Sequence, residues 1–171
     1  SRGLGDVYKR QVPCPQLSGL PTVTIEAWIN WRGNQGKMFL GFDTYDVYTA
    51  TGGIGFNNGA SNNIGVPAST ITSLGCVNSF MHYTFVMRNA SSLMSTNKIY
   101  INGEDQGALQ VLTALDGSGK NFGASMKLAI WNSGGSWIGD VSFANLKMYD
   151  RELTADEVKQ NFEATRSRFS I

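Results

Sequence analysis

The chain has 171 residues, 42% of them hydrophobic and only 16% charged, with 20 glycines and a formal net charge of +1. That length supports one domain with a sizeable core, and so few charges do not clothe a helical bundle. Fourteen Lys and Arg against thirteen Asp and Glu leave no field to draw nucleic acid or an anionic membrane surface. No apolar run reaches the length of a membrane helix, so insertion is not expected.

Residues 1–11 (SRGLGDVYKRQ) lack the apolar centre of a signal peptide. They resemble translated sequencing-adapter read-through and are set aside as non-native, which leaves residues 12–171 as the domain. Cys14 and Cys76 are too few for a disulfide framework or a cysteine zinc site. One disulfide tying down the N-terminal segment and two free buried thiols both fit.

Thr22 to Trp31 is the first clear strand. Val23, Ile25, Ala27, Ile29 and Trp31 share one face at period two, and Trp28 on the other face calls for cover there too. Asn34 to Gly36 reads as a turn. Met38 to Phe42, Asp46 to Ala50 and Ile54 to Phe56 are short strands separated by turn signals, ending in the turn Asn57-Asn58-Gly59. Phe80 to Arg88 alternates with Met81, Tyr83, Phe85 and Met87 on one face. Lys98 to Ile101 runs into Asn102-Gly103, a strong hairpin signal, with Ala108 to Leu112 as the expected return strand. Lys127 to Trp131 and Val141 to Tyr149 complete the set. In the last, parity shifts between Phe143 and Leu146, which predicts a bulge near Ala144–Asn145. One helix follows: Thr154 and Glu157 form a capping box, Leu153 and Val158 a hydrophobic staple, and Val158 with Phe162 an apolar stripe to dock on a sheet. Many short strands with one late helix specify an all-β sandwich or jelly roll.

Three segments carry a family resemblance. TVTIEAWINW (Thr22 to Trp31), HYTFVMRN with NKIYINGEDQG (His82 to Asn89, Asn97 to Gly107) and IGDVSFANLKMYDRELTADEVKQNF (Ile138 to Phe162) resemble, in order, the opening strand, central hairpin and closing strand–helix of laminin-G-like, concanavalin A-like jelly-roll domains. The resemblance implies a sandwich of two antiparallel sheets with one short C-terminal helix. The tail KQNFEATRSRFSI is similar to the C-termini of related domains in phage and marine viral structural or adsorption proteins. It implies an extracellular or virion-associated setting, with other virion proteins as neighbours.

The chemistry favours binding over catalysis. A glycosidase needs two carboxylates at fixed separation. Glu26 is the only acid in its strand, Glu104 and Asp105 are adjacent and would point oppositely, and the acids of residues 150–157 are explained by helix capping. His82, the only histidine, excludes a multi-histidine metal site, and the resemblance implies packing and a hydrogen bond for it. Sugar recognition uses aromatic faces with planar amides. Trp131, Asn132 and Trp137 frame such a loop, although tryptophans more commonly cover a sheet or fill a core. Asn57 and Asn58 form a second amide-rich tip whose simpler reading is turn formation. Ca2+ is the one cofactor considered, with Asp43, Asp46 and Asp140 as its ligands by chemistry. The expected function is a non-catalytic module for a carbohydrate or cell-surface ligand. A structural or assembly domain without a glycan site is the alternative, and a glycoside hydrolase a remote one.

Overall fold

The computed structural model describes residues 11–42, 45–57, 63–89, 96–107, 109–110, 122–131 and 136–171. Its strands are β1 (Gln11–Pro13), β2 (Thr22–Trp31), β3 (Met38–Gly41), β4 (Asp46–Ala50), β5 (Gly53–Asn57), β6 (Asn63–Val66), β7 (Phe80–Arg88), β8 (Lys98–Ile101), β9 (Glu104–Asp105), β10 (Leu109–Gln110), β11 (Ser125–Leu128) and β12 (Val141–Tyr149). Helix α1 spans Ala68–Ser73 and α2 spans Ala155–Glu163. The strands form a seven-stranded sheet, β1-β11-β3-β4-β5-β6-β10, and a five-stranded sheet, β12-β2-β7-β8-β9. Every strand pair is antiparallel.

The alternation read in β2 and β7 becomes the core. Val23, Ile25, Ala27, Ile29 and Trp31 face Met81, Tyr83, Phe85 and Met87 of the same sheet, and both sets meet Phe39, Leu40, Val47, Ile54, Phe56 and Ile64 across the sandwich. Ring contacts of Phe39 with Tyr83 (centroids 5.7 Å) and of Phe56 with Phe85 (6.3 Å) join the layers edge to face. Cys14 and Cys76 are both buried free thiols.

Asn102 and Gly103 have φ of 52° and 81°, the left-handed pair that a two-residue hairpin between twisted strands requires. The register of β12 on β2 shifts between Ala144 and Lys147, and Asn145 has φ 56°, so the predicted bulge is present. Two readings need correction. The return strand after Asn102-Gly103 is not one strand: β9 pairs with β8 over two residues, and β10 joins β6 in the other sheet. A crossover of this kind answers to long-range pairing, which local alternation does not encode. The strand expected over Lys127 to Trp131 begins earlier and ends at Leu128, because Ala129 has φ 60° and breaks the extended path. Gln11, placed by sequence in the segment set aside, is the first residue of β1 and pairs with Lys127.

Helix α2 covers the outer face of the five-stranded sheet. The capping box forms with both reciprocal bonds, and Leu153 and Val158 pack on Val86 and Tyr100. Trp28 lies on this outer face and is fully buried: its indole N–H donates to Thr165 Oγ1 (3.0 Å) and its ring stacks on Phe169 (4.0 Å).

Candidate functional site

The start of β3 is where the exposed chemistry gathers. Its main chain anchors the segment that follows the loop after Trp131. Met38 N–H donates to the Trp137 carbonyl (2.9 Å), Ala129 N–H to Phe39 (2.8 Å), and Gly139 N–H to Ala129 (2.7 Å). Gly139 has to be glycine, since a Cβ there would lie 2.1 Å from the Met38 carbonyl oxygen. Trp137 itself has φ 64°, a left-handed conformation uncommon for any residue with a side chain. Such backbone costs about 1 kcal/mol or more and persists only where surrounding bonds hold it.

The two tryptophans meet different environments. Trp131 is half-buried on a small apolar cluster of Met38, Tyr48 and Ala50, on the side of the seven-stranded sheet away from the core. Trp137 is 49% exposed, and its Cζ3 lies 3.7 Å from where a Cβ on Gly36 would stand. One edge of this indole is therefore backed by the main chain of the turn before β3, while half its surface is open to solvent. Both indoles adjoin the Gly36–Met38 stretch, so the structure does bring them to one place, but only Trp137 offers a free aromatic surface.

Around Trp137 the rim is apolar with a polar side. Its neighbour Ile138 is 48% exposed, and Val77, on the far side of Gly33, is 41% exposed. Val77 bridges to Trp31 and reaches Gly33, whose Cβ would stand 3.1 Å from Val77 Cγ1. On the polar side Arg32 pairs with Asp140 (3.4 Å) and donates to Ser142 Oγ (2.8 Å). Both members of the pair are well exposed, so its contribution to stability is small. Asn34 sits behind, bonded to the Trp31 indole, to Ile138 and to Asp140. Arg32, Asn34, Gly36 and Ile138 were not singled out as site residues in the sequence. Asn34 and Gly36 read there only as a turn.

The remaining sequence candidates are scattered. Asp46 is buried in β4, with its Cα opposite Gly41 and Asn57. Asn57 closes β5, opposite Asn63. Asp140 lies next to β12 in the other sheet and is engaged by Arg32. Asn58, Asn132 and Asp43 fall outside the described residues. Among the described residues no three His, Cys, Asp or Glu side chains gather as a metal site.

A polar cluster of another kind lies beneath α2. The Glu26 carboxyl is 1% exposed and accepts from Tyr149 Oη (2.9 Å), Asn161 Nδ2 (2.9 Å) and Thr84 Oγ1 (3.3 Å), with His82 Nε2 at 3.9 Å. Burial, assisted by the Lys147 charge, lowers the His82 pKa to about 4, so its imidazole is neutral near pH 7. These groups join the helix to the sheet, with Glu26, His82 and Thr84 buried beneath it, which suits a structural role.

Comparisons with known proteins agree with this architecture. Residues 9–159 match the family model of laminin-G type described as the concanavalin A-like lectin/glucanases superfamily. No curated protein matches significantly in sequence. Among solved structures, that of botulinum neurotoxin type C, whose cell entry depends on interaction with two ganglioside molecules, superposes with a TM-score of 0.57 at 17% identity, over 87% of this chain and 37% of that one. The ligand binding domain of botulinum neurotoxin serotype D, in complex with N-acetylneuraminic acid, gives 0.57 at 13% identity over 86% and 37%. The sialidase of Trypanosoma rangeli gives 0.57 at 14% identity over 86% and 23%. This chain thus spans less than two-fifths of each, and at such identities the likeness concerns the fold. With the family model covering nearly the whole sandwich, the chain belongs to the concanavalin A-like lectin/glucanases superfamily.

Proposed function

We propose that this domain is an extracellular, non-catalytic module that binds glycan, and that the ligand seats on Trp137. The observation that carries the reading is the half-exposed indole, backed by Gly36 and held in a left-handed conformation by the Met38 bond. A pyranose has an apolar C–H face and a polar rim of hydroxyls. The indole matches the first, and the exposed Arg32 and Asp140 groups offer donors and acceptors for the second. Strained, exposed backbone in a loop on a rigid sheet is characteristic of functional positions. Two solved relatives support the ligand class, since one depends on gangliosides and another binds N-acetylneuraminic acid. The sialidase neighbour keeps catalysis in view, but Glu26, one of two buried carboxyls among the described residues, is enclosed by α2 and satisfied by three donors. The resemblance of the KQNFEATRSRFSI segment to viral proteins extends the proposal to a module of a virion adsorption protein.

A protein contact is the second reading, favoured by the exposure of the apolar Ile138 beside Trp137. A glycan-array screen of the 171-residue chain, with calcium and with chelator, separates the two. Reproducible binding that Trp137→Ala abolishes is the expected result, and loss of signal in chelator would add a metal. Uniform absence of binding from folded protein in both buffers favours the protein contact.

A further inference from the structure

Asn34 stands one layer behind Trp137 and is bonded to several parts of the rim at once. Its Oδ1 accepts from the Trp31 indole N–H (3.0 Å) and from Asp140 N–H (3.3 Å). Its Nδ2 donates to the Ile138 carbonyl (3.4 Å). Its own carbonyl accepts from Trp31 Nε1 (3.1 Å) and from Thr49 Oγ1 (3.0 Å). One side chain thus links a buried tryptophan of β2 to both sides of Gly139. The other anchors of this segment are main-chain bonds, made by Met38, Gly139 and Arg32, and the exposed Arg32–Asp140 pair. Main-chain bonds survive substitution, and an exposed ion pair holds little.

We propose that Asn34 is a positioning residue for Trp137. This rests on the reading of Trp137 as the glycan platform. A left-handed tryptophan relaxes toward extended backbone unless its surroundings over-determine it. Asn34 supplies part of that constraint at the next carbonyl, that of Ile138, beside the Met38 bond to Trp137. Without it the Ile138 carbonyl loses its amide donor and Asp140 N–H its acceptor. The loop then samples conformations in which the indole leaves Gly36, and binding must reorder it. Losing about 1 kcal/mol of hydrogen bonding corresponds to glycan affinity about fivefold weaker.

The test uses the full chain with 15N-labelled tryptophans, the Trp137 indole resonance being identified by its loss in Trp137→Phe. Asn34→Ala removes all three side-chain bonds. Asn34→Asp keeps both acceptor bonds and replaces the donation to Ile138 by a contact between two oxygens, which provides a second variant if the first does not fold. Thr154→Ala, at the cap of α2, serves as a control for general destabilisation. The expected result is a displaced and more quencher-accessible Trp137 indole in Asn34→Ala, an intermediate one in Asn34→Asp and an unchanged one in Thr154→Ala, with glycan affinity following the same order. A Trp137 indole and an affinity in Asn34→Ala equal to wild type would overturn the proposal. If wild type binds no glycan while the indole still moves in Asn34→Ala, the positioning role stands and the glycan reading falls.

Discussion

Trp131 and Trp137 lie six residues apart in sequence, and their surroundings divide their roles. Trp131 rests on Met38, Tyr48 and Ala50, so Trp131→Ala should cost about 2 kcal/mol in a chemical denaturation curve, as deletion of packed aromatic surface does. Trp137 contributes little packing and carries backbone strain. Glycine takes φ near 60° freely. Trp137→Gly should therefore melt at least as high as wild type, because the backbone strain is released, and on the proposed reading should lose ligand with its indole. A lower melting midpoint for Trp137→Gly would mean that the indole is structural. Gly103 is the opposite case. At φ 81°, with Phe162 Cδ1 3.1 Å from the missing Cβ, Gly103→Ala meets both a strained backbone and the helix above it. Its expected cost is about 1–2 kcal/mol in the same assay.

At the scale of elements, α2 and the turn after it act as a clasp over Trp28, His82 and Glu26. Asn161→Ala removes donors to Glu26 and to Tyr149 and leaves a buried carboxyl short of a partner, at a cost of about 2 kcal/mol. The clasp also responds to acid. His82 titrates at about 4 in the fold, below the ordinary 6.5, so the folded state binds fewer protons than the unfolded one between those values. Stability is fully present above pH 6.5 and is lost as pH falls toward 4, by up to about 3 kcal/mol from this group. Melting curves across that range should fall more steeply for wild type than for His82→Gln. Parallel curves would assign the acid sensitivity elsewhere. This element was legible in sequence because its signals are local: Thr154 and Glu157 lie three apart, and Val158 and Phe162 one turn apart. Helix α1 carried no such signal. Pro67 at its N-cap makes no side-chain cap bond, so nothing in the local sequence announces it.

For the whole molecule, the sandwich was legible where apolar alternation or flanking turn residues mark a strand, as in β2, β4, β7 and β12. It was not legible where closure of the two sheets decides. The passage from β9 to β10 between sheets, and the short β1 and β6, depend on partners far along the chain. The site divides the same way. Residue type pointed to Trp137, but its placement follows from the Met38 bond to its carbonyl and from the bonds of Gly139 to Ala129 and of Asn34 to Ile138, which no periodicity records. The central claim is that an aromatic platform at the start of β3 makes this jelly roll a glycan-binding module. Its most direct test is calorimetric affinity for the best-bound glycan of the array, measured on wild type and Trp137→Ala alongside their melting midpoints. The account predicts affinity weakened at least about thirtyfold, a loss of about 2 kcal/mol, at an unchanged midpoint. Equal affinities, or a loss that merely tracks a lowered midpoint, would contradict it.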